Sequence, residues 1–313
     1  MGDIKEVRIT EVSPRDGFQS ISQFIPTQEK IKILNRIIKL GFPQVEVTSF
    51  VHPKAVPQMK DADEVLRGID RPEGVLLRAL VPNMRGLDRA IEAKVDKAKL
   101  MLSASDAHSL HNANANTFDA MRDFHLLVDR AQGTTVHVSG SISVAFGCPY
   151  EGNVPITRHI EICERYEQFG INEISLADTT GMANPESIKR IVYSLKEKFP
   201  NFKYSLHLHN TRGMAFANAV AGFHEGILDF DSALAGLGGC PYAPNASGNI
   251  ATEDIVHSFE EMGIRTNLDL DALIDEARTL ETSFPSYSNS FILKAGKCSD
   301  LHVAPGKQQK IGE

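Results

Sequence analysis

The amino-acid sequence predicts a (β/α)8 barrel, and three observations carry this prediction. Short β-prone runs recur eight times along the chain, and helix-like amphipathic segments lie between them. The length of 313 residues is natural for one such barrel with a short extension. No GxGxxG motif follows the first run, which argues against an open dinucleotide-binding sheet. We expect a single domain over residues 1–313, with the barrel at about 5–265 and a helical extension and mobile tail at about 266–313.

The order of the predicted elements favours a parallel sheet, because parallel neighbours need crossover connections. Thr27–Leu40 is one such helix, with its apolar residues on one face and Gly41 behind it as a C-terminal cap. Pro185–Lys198 and Leu268–Glu281 are further clear helices. The eight predicted strands are Val7–Ser13, Gln44–Phe50, Leu76–Val81, Lys97–Ser103, Val136–Val144, Glu173–Ala177, Tyr204–His209 and Phe230–Ala235.

Composition restricts the classes of function that are open to the chain. Hydrophobic residues make up 42% and Trp is absent, which suits a large aliphatic core around a buried sheet. The net charge of −7 is dispersed, and no basic stripe indicates binding to nucleic acid or to a membrane surface. The four cysteines are widely spaced, and neither a signal peptide nor a membrane-spanning run is apparent. We therefore expect a soluble, cytoplasmic protein.

Polar residues follow nearly every predicted strand, at the end of a barrel where active sites form. His207 and His209 are one residue apart, so both imidazoles point to the same face of a strand. Asp16 closely follows the first strand, which closes next to the eighth, and Asn249 can reach the same point from the loop after strand eight. These nitrogen and oxygen donors suit Mg²⁺ or Mn²⁺, with Zn²⁺, Co²⁺ or Fe²⁺ as alternatives.

Two further features of the strand ends each have a structural and a functional interpretation. Arg15 next to Asp16 is either a plain ion pair or a fixed cation for a developing oxyanion, and the adjacent Gly17 favours the second. Gly236–Asn249 is either a surface loop or a lid that presents the thiol of Cys240 to a substrate. Its density of glycines at the active end of a barrel favours the lid.

Over roughly residues 5–265, the chain resembles the 3-hydroxy-3-methylglutaryl-CoA lyase family, within a wider group of barrel metallolyases and Claisen-type synthases. The most specific part of the resemblance is the glycine-rich segment after the eighth strand, since the synthases carry a shorter loop there. The motifs that carry the resemblance are Ser13–Gln19 (SPRDGFQ), Glu46–Phe50 (EVTSF), Gly147–Gly152 (GCPYEG), Ala177–Gly181 (ADTTG), His207–His209 (HLH), Gly236–Ala243 (GLGGCPYA) and Ala246–Asp254 (ASGNIATED).

The resemblance implies a metal-dependent carbon–carbon lyase with an acyl-CoA substrate. Its reaction would be retro-Claisen cleavage of 3-hydroxy-3-methylglutaryl-CoA to acetyl-CoA and acetoacetate, with Asp16 or His207 as the base. A homodimer is also implied. The implied metal ligands are Asp16, His207, His209 and Asn249, the implied catalytic residues are Arg15 and Cys240, and further active-site acids are Glu46 and Asp178.

Three departures from the family pattern bear on the substrate. Ser20-Ile21-Ser22 stands where the family has Asn-Glu, Ala177 replaces a glycine, and Asn210-Thr-Arg212-Gly213 replaces Asp-Thr-Tyr-Gly. These changes leave the metal ligands and Arg15 in place but alter the surroundings of the acyl group. A lyase for a related thioester, such as citramalyl-CoA, is therefore an alternative.

Two other functions compete with a lyase. A Claisen-type synthase would condense acetyl-CoA with a 2-keto acid, but the glycine-rich segment and the missing regulatory domain argue against it. A non-catalytic barrel could bind acyl-CoA alone, but it would not need Arg15, Asp16, both histidines and Cys240 together.

Overall fold

Eight parallel strands close into a barrel in the computed structural model of the protein, which describes residues 5–239 and 248–302. Each strand pairs with the next in chain order, and the eighth pairs with the first. The predicted (β/α)8 fold is therefore confirmed. The strands are β1 (Arg8–Glu11), β2 (Gln44–Ser49), β3 (Leu76–Val81), β4 (Lys97–Ser103), β5 (His137–Ser143), β6 (Glu173–Asp178), β7 (Lys203–Leu208) and β8 (Asp229–Ser232).

Two predicted strands extend too far at the carboxyl end by more than one residue, and both errors lie next to the functional site. The first strand was expected to reach Ser13, but Ser13–Gly17 forms a π-helical turn instead. The eighth was expected to reach Ala235, which has a left-handed φ of 57° inside the 3₁₀ turn Leu234–Gly236. Extended backbone cannot pass through that conformation, so β8 ends early.

Helices cover the outside of the barrel and form the C-terminal extension. Asn184 caps α8 in a reciprocal pair with Ser187, which explains why this helix begins where the sequence predicted. The predicted helices at 27–40 and 268–281 are also present, with ends shifted by two residues. The helices are α1 (Thr27–Ile38), α2 (Ala62–Gly68), α3 (Met84–Glu92), α4 (Asp106–Ala113), α5 (Thr117–Ala120), α6 (Phe124–Ala131), α7 (Ile156–Gln168), α8 (Pro185–Lys198), α9 (Ala215–His224), α10 (Thr252–Glu261), α11 (Leu270–Ser283) and α12 (Ile292–Ala295).

Alternation along the strands separates an apolar outer layer from a polar barrel interior. Phe230 on β8 faces outward, since its ring lies 5.2 Å from the ring of Phe259 on α10. Its neighbour Asp231 is buried and pairs in register with Thr10 of β1 and with His207 of β7. Strand register therefore brings a buried carboxylate next to one of the predicted metal ligands.

The C-terminal extension packs against the residues that precede the predicted lid, Gly236–Asn249. The N–H of Asn289 donates to the carbonyl of Ala235 at 2.8 Å. The carboxylate of Asp254 on α10 accepts the N–H groups of Phe291 and Ile292. Within the two described ranges, no helix is long and apolar enough to cross a membrane.

Candidate metal centre at the mouth of the barrel

Three of the four predicted metal ligands converge at the carboxyl ends of β1 and β7. The Nε2 atoms of His207 and His209 lie 3.2 Å apart. Oδ2 of Asp16 lies 3.8 Å from Nε2 of His207 and 3.6 Å from Nε2 of His209. A cation about 2.1 Å from each atom fits this triangle, which is the usual ligand distance for Mg²⁺ and for imidazole-bound Zn²⁺. All three side chains are buried and form one candidate metal site.

The surroundings of the triangle hold these side chains in the protonation states that a cation requires. Nδ1 of His207 lies 3.3 Å from Oδ2 of Asp231, so its N–H donates there and Nε2 keeps its lone pair. Burial lowers the pKa of His209 to about 4, which keeps this imidazole neutral. Burial acts to raise the pKa of Asp16, but Arg15 and the two histidines outweigh it and hold that pKa below its usual range.

Asn249, the fourth predicted ligand, borders the same triangle. It pairs with His209 across a short antiparallel bridge, and its Nδ2 donates to Oδ2 of Asp16 at 2.7 Å. Its Oδ1 is buried without a hydrogen-bond partner in the part of the chain that the structure describes. A half-turn of the amide would bring Oδ1 to the position of Nδ2, where a cation would satisfy it. The residues present therefore fit a divalent cation.

Arg15 is fixed between two carboxylates. Its Nη1 pairs with Oδ1 of Asp16 and its Nε with Oε1 of Glu46. Glu46 is fully buried and also pairs with Arg78 and Lys99 from the next two strands. Burial acts to raise the pKa of Glu46, but these three cations lower it to about 2. Glu46 therefore remains a carboxylate that orients Arg15.

Asp178 lies at the carboxyl end of β6, next to β7. Its Oδ1 accepts the N–H groups of Met182 and Ala183 at 2.8 and 3.0 Å, so it stabilises the turn that follows the strand. Burial raises its pKa to about 6, and Oδ2 has no hydrogen-bond partner among the described residues. The role of Asp178 as an active-site acid stays a prediction.

Cys240 lies outside the described residues, so its predicted role stays a prediction too. The structure does describe the two ends of the segment that carries it. A Cβ atom added to Gly248 would meet the carbonyl oxygen of Gly236 at 2.1 Å, so the ends pass each other closely. Gly236 and Gly238 have φ values of 64° and 140°, which favour glycine.

Sequence reasoning missed a buried ionic network beneath the metal triangle. Arg78 and Lys99 reach Oδ2 of Asp231 at 2.9 and 3.2 Å, and both also pair with Glu46. Each of these charged residues lies inside a predicted strand that is otherwise mostly apolar. A charge within such a strand was the available signal, since a charged side chain that faces the barrel interior must find a partner there.

Glu11 is the last residue of β1, and its contacts indicate a positioning role. It is fully buried, and Oε1 accepts the N–H groups of Ser13 at 2.8 Å and Leu234 at 3.1 Å. Its Oε2 accepts the hydroxyl of Thr252 at 2.6 Å. Glu11 thereby joins the turn that carries Arg15 to both flanks of the glycine-rich segment.

The fold and the site together define a class: a (β/α)8-barrel protein with a candidate divalent-metal site of imidazole and carboxylate donors at the carboxyl ends of its strands. Residues 6–280 match the HMGL-like family. The chain belongs to this family.

Named relatives and solved structures agree with that assignment. The hydroxymethylglutaryl-CoA lyase YngG of Bacillus subtilis is 44% identical over 88% of this chain and 93% of its own. The mitochondrial hydroxymethylglutaryl-CoA lyase of Mus musculus is 38% identical over 87% of this chain and 83% of its own. An HMG-CoA lyase from Acinetobacter baumannii, solved with coenzyme A and 3-methylmalate, is 43% identical with a TM-score of 0.92 over 96% of this chain and 98% of its own. The predicted family and enzyme class, a carbon–carbon lyase, are confirmed.

Proposed function

We propose that this chain cleaves 3-hydroxy-3-methylglutaryl-CoA to acetyl-CoA and acetoacetate with Mg²⁺ or Mn²⁺ bound at the barrel mouth. The convergence of Asp16, His207 and His209 beside the fixed guanidinium of Arg15 carries the proposal. The Acinetobacter relative supports the substrate class, because coenzyme A and a branched hydroxydicarboxylate were bound to it together. The predicted homodimer and cytoplasmic location stay predictions.

Asp16, His207, His209 and Asn249 would hold the cation. When bound, it would lower the pKa of a hydroxyl group on the substrate. The histidine lone pairs at Nε2 would then be occupied, whereas the carboxylate of Asp16 keeps lone pairs of its own. Of the two bases that the sequence left open, Asp16 is therefore the one that accepts the 3-hydroxyl proton.

Arg15 would stabilise the negative charge that develops on the substrate when the carbon–carbon bond breaks. When the bond between C2 and C3 breaks, its electron pair moves onto the thioester and forms an enolate of acetyl-CoA. Glu46 and Asp16 hold Nε and Nη1 of Arg15, which leaves Nη2 for the enolate oxygen. A fixed donor of this kind contributes roughly 3–4 kcal/mol to the transition state. Cys240 would return a proton to C2 and complete acetyl-CoA.

A lyase for a related 3-hydroxyacyl-CoA is the second candidate function, and the position of Arg212 supports it. Nη1 of Arg212 donates to the carbonyls of Thr180 and Gly181 at 2.8 and 2.9 Å, after the strand that ends at Asp178. A cation thus stands at the barrel mouth where the family pattern has tyrosine. It could select a differently charged acyl group.

A panel of thioesters tests the proposal. The protein is incubated with 3-hydroxy-3-methylglutaryl-CoA, citramalyl-CoA and simple 3-hydroxyacyl-CoA compounds in Mg²⁺ or Mn²⁺, and acetyl-CoA release is followed. We expect the highest kcat/KM with 3-hydroxy-3-methylglutaryl-CoA, and acetoacetate in equal amount. A higher kcat/KM with another thioester would identify that compound as the substrate instead of 3-hydroxy-3-methylglutaryl-CoA. Absence of acetyl-CoA release from every compound would overturn the lyase function. An Arg15→Lys preparation controls for contaminating activity.

A further inference from the structure

A second group of metal-ligating side chains lies outside the barrel mouth, on the C-terminal extension. His257, Glu261 and Cys298 each offer one ligand atom, and these atoms lie within 4.8 Å of one another. His257 and Glu261 belong to α10, whereas Cys298 follows α12. We propose that these three residues form a thiolate-containing site for a borderline divalent cation such as Zn²⁺, separate from the site at the barrel mouth.

The geometry of α10 places two of the proposed ligands, His257 and Glu261, next to each other. Residues four apart lie on the same face of a helix, so His257 and Glu261 project together. His257 is only 8% exposed, and packing therefore limits its orientation. Its Nε2 accepts the backbone N–H of Cys298 at 3.2 Å, which places a lone pair toward the residue that carries the thiol. A cation would take over that lone pair, with a small shift of the backbone at Cys298.

The charge at the carboxyl end of α10 favours a cation. Glu261 is the last residue of α10, and no basic residue lies in the last turn of this helix. The carbonyl end of a helix is negative, so a glutamate there is unfavourable unless a cation lies nearby. Glu261 and Cys298 are exposed, and an ion from solution can reach them.

The donor set separates this site from the one at the barrel mouth. Cys298 supplies sulfur, and His257 and Glu261 supply nitrogen and oxygen, which is a typical combination for Zn²⁺ or Co²⁺. The ligands predicted at the barrel mouth contain no thiolate. A thiolate signal therefore distinguishes the two sites.

Binding of a cation would clamp the C-terminal segment onto α10. The same segment begins at Asn289, whose N–H holds the carbonyl of Ala235 at the root of the glycine-rich segment. Asp254 holds the start of α12, whereas the N–H of Cys298 donates to Nε2 of His257 on α10. Bonds from a cation to His257, Glu261 and Cys298 would replace that single hydrogen bond and attach the end of the segment to α10 more strongly.

Titration with Co²⁺ tests the site, because thiolate bound to Co²⁺ gives a charge-transfer absorption in the near ultraviolet. The full chain is titrated after saturation with Mg²⁺, and the variants are Cys298→Ser, Cys240→Ser, Glu261→Gln and Glu260→Gln. We expect the absorption to saturate in the parent protein, to vanish in Cys298→Ser and to persist in Cys240→Ser. Glu261→Gln should weaken Co²⁺ binding at least about tenfold, since it removes one of three protein ligands. Glu260→Gln, on the neighbouring exposed residue, should not.

Three outcomes would overturn the proposal: no thiolate absorption, an absorption that survives in Cys298→Ser, or one that vanishes in Cys240→Ser. Weak binding that none of the substitutions changes would mean an adventitious ion only. A second measurement is amide hydrogen exchange with Zn²⁺ in excess Mg²⁺. Exchange over residues 289–300 should slow in the parent and not in Cys298→Ser, and equal exchange in both would contradict the clamp.

Discussion

Nδ1 of His207 and Oδ2 of Asp231 lie 3.3 Å apart in the barrel interior, so a buried carboxylate orients the imidazole from behind the metal triangle. Arg78 and Lys99 contact the same carboxylate, and together they hold its pKa well below the usual range against the opposing effect of burial. Asp231 therefore stays charged and fixes the proton of His207 on Nδ1.

Asp231→Asn tests this relationship. The substitution keeps the volume but removes the charge that orients His207, so metal affinity should fall about tenfold to a hundredfold. Asp229→Asn is the matched control, since Asp229 lies two residues earlier on β8 and pairs with Arg8 at the surface. Calorimetric titration with Mn²⁺ measures the affinity, and circular dichroism checks that both variants fold. Equal affinities in the two variants would show that Asp231 does not orient the ligand.

Metal removal tests the centre as a whole. Protein treated with a chelator should be inactive, and Mg²⁺ or Mn²⁺ should restore it, because nitrogen and oxygen donors converge on one point. His209→Ala should lower metal affinity, whereas His224→Ala on the exposed end of α9 should not. Acetyl-CoA release and metal titration are the two measurements. Full activity in metal-free protein would exclude a catalytic role for the cation.

Arg15→Lys separates charge from geometry. Lysine keeps the positive charge but cannot pair with both Asp16 and Glu46 through a planar fork. We expect kcat to fall at least about tenfold while metal affinity changes little, because an oxyanion donor acts mainly in the transition state. Steady-state kinetics measure the effect. An unchanged kcat would reduce Arg15 to a structural ion pair.

The buried carboxyl group of Glu253 should make the stability of the protein depend on pH. Burial raises its pKa to about 8 from an ordinary 4.5, so the folded chain keeps a proton that the unfolded chain loses. As the pH rises from 4.5 to about 8, the free energy of unfolding should therefore decrease. This group contributes at most about 1.4 kcal/mol per pH unit to the decrease. Glu253→Gln should remove that part of the slope and exceed the parent in stability above pH 8.

Urea unfolding from pH 5 to 9 measures this slope. Glutamine can still accept the N–H of Ala235, which Glu253 accepts at 3.1 Å, so the contact itself is preserved. Glu64→Gln on the exposed side of α2 is the control and should leave the slope unchanged. Parallel curves for the parent and Glu253→Gln would show that this carboxyl group is charged in the folded state.

Alkylation tests the predicted role of Cys240. Cys148 and Cys163 are buried, and burial raises the pKa of Cys163 to about 12, so both should react slowly. Cys298 is exposed and would react without affecting the reaction, so the experiment needs a Cys298→Ser background. We expect activity to fall as Cys240 is modified, and substrate analogue with metal to slow the loss. Peptide mapping follows the modification, and inactivation with Cys240 intact would place the proton donor elsewhere.

The sequence alone determined the barrel, its strand order and the faces of its strands. These follow from local periodicity, because alternation along one strand fixes which side chains share a face. That is why His207 and His209 could be paired in advance, and why Asp16 was expected beside them at the closure between β8 and β1.

Tertiary structure alone decided how the charges inside the barrel pair. Glu46, Arg78, Lys99 and Asp231 come from four strands, and their contacts depend on how far each strand is displaced along its neighbours when the sheet closes. No local pattern carries that displacement. The same closure fixes Arg15 between two carboxylates and turns Asp178 toward its own loop, whereas the sequence could only place each of them at the end of a strand.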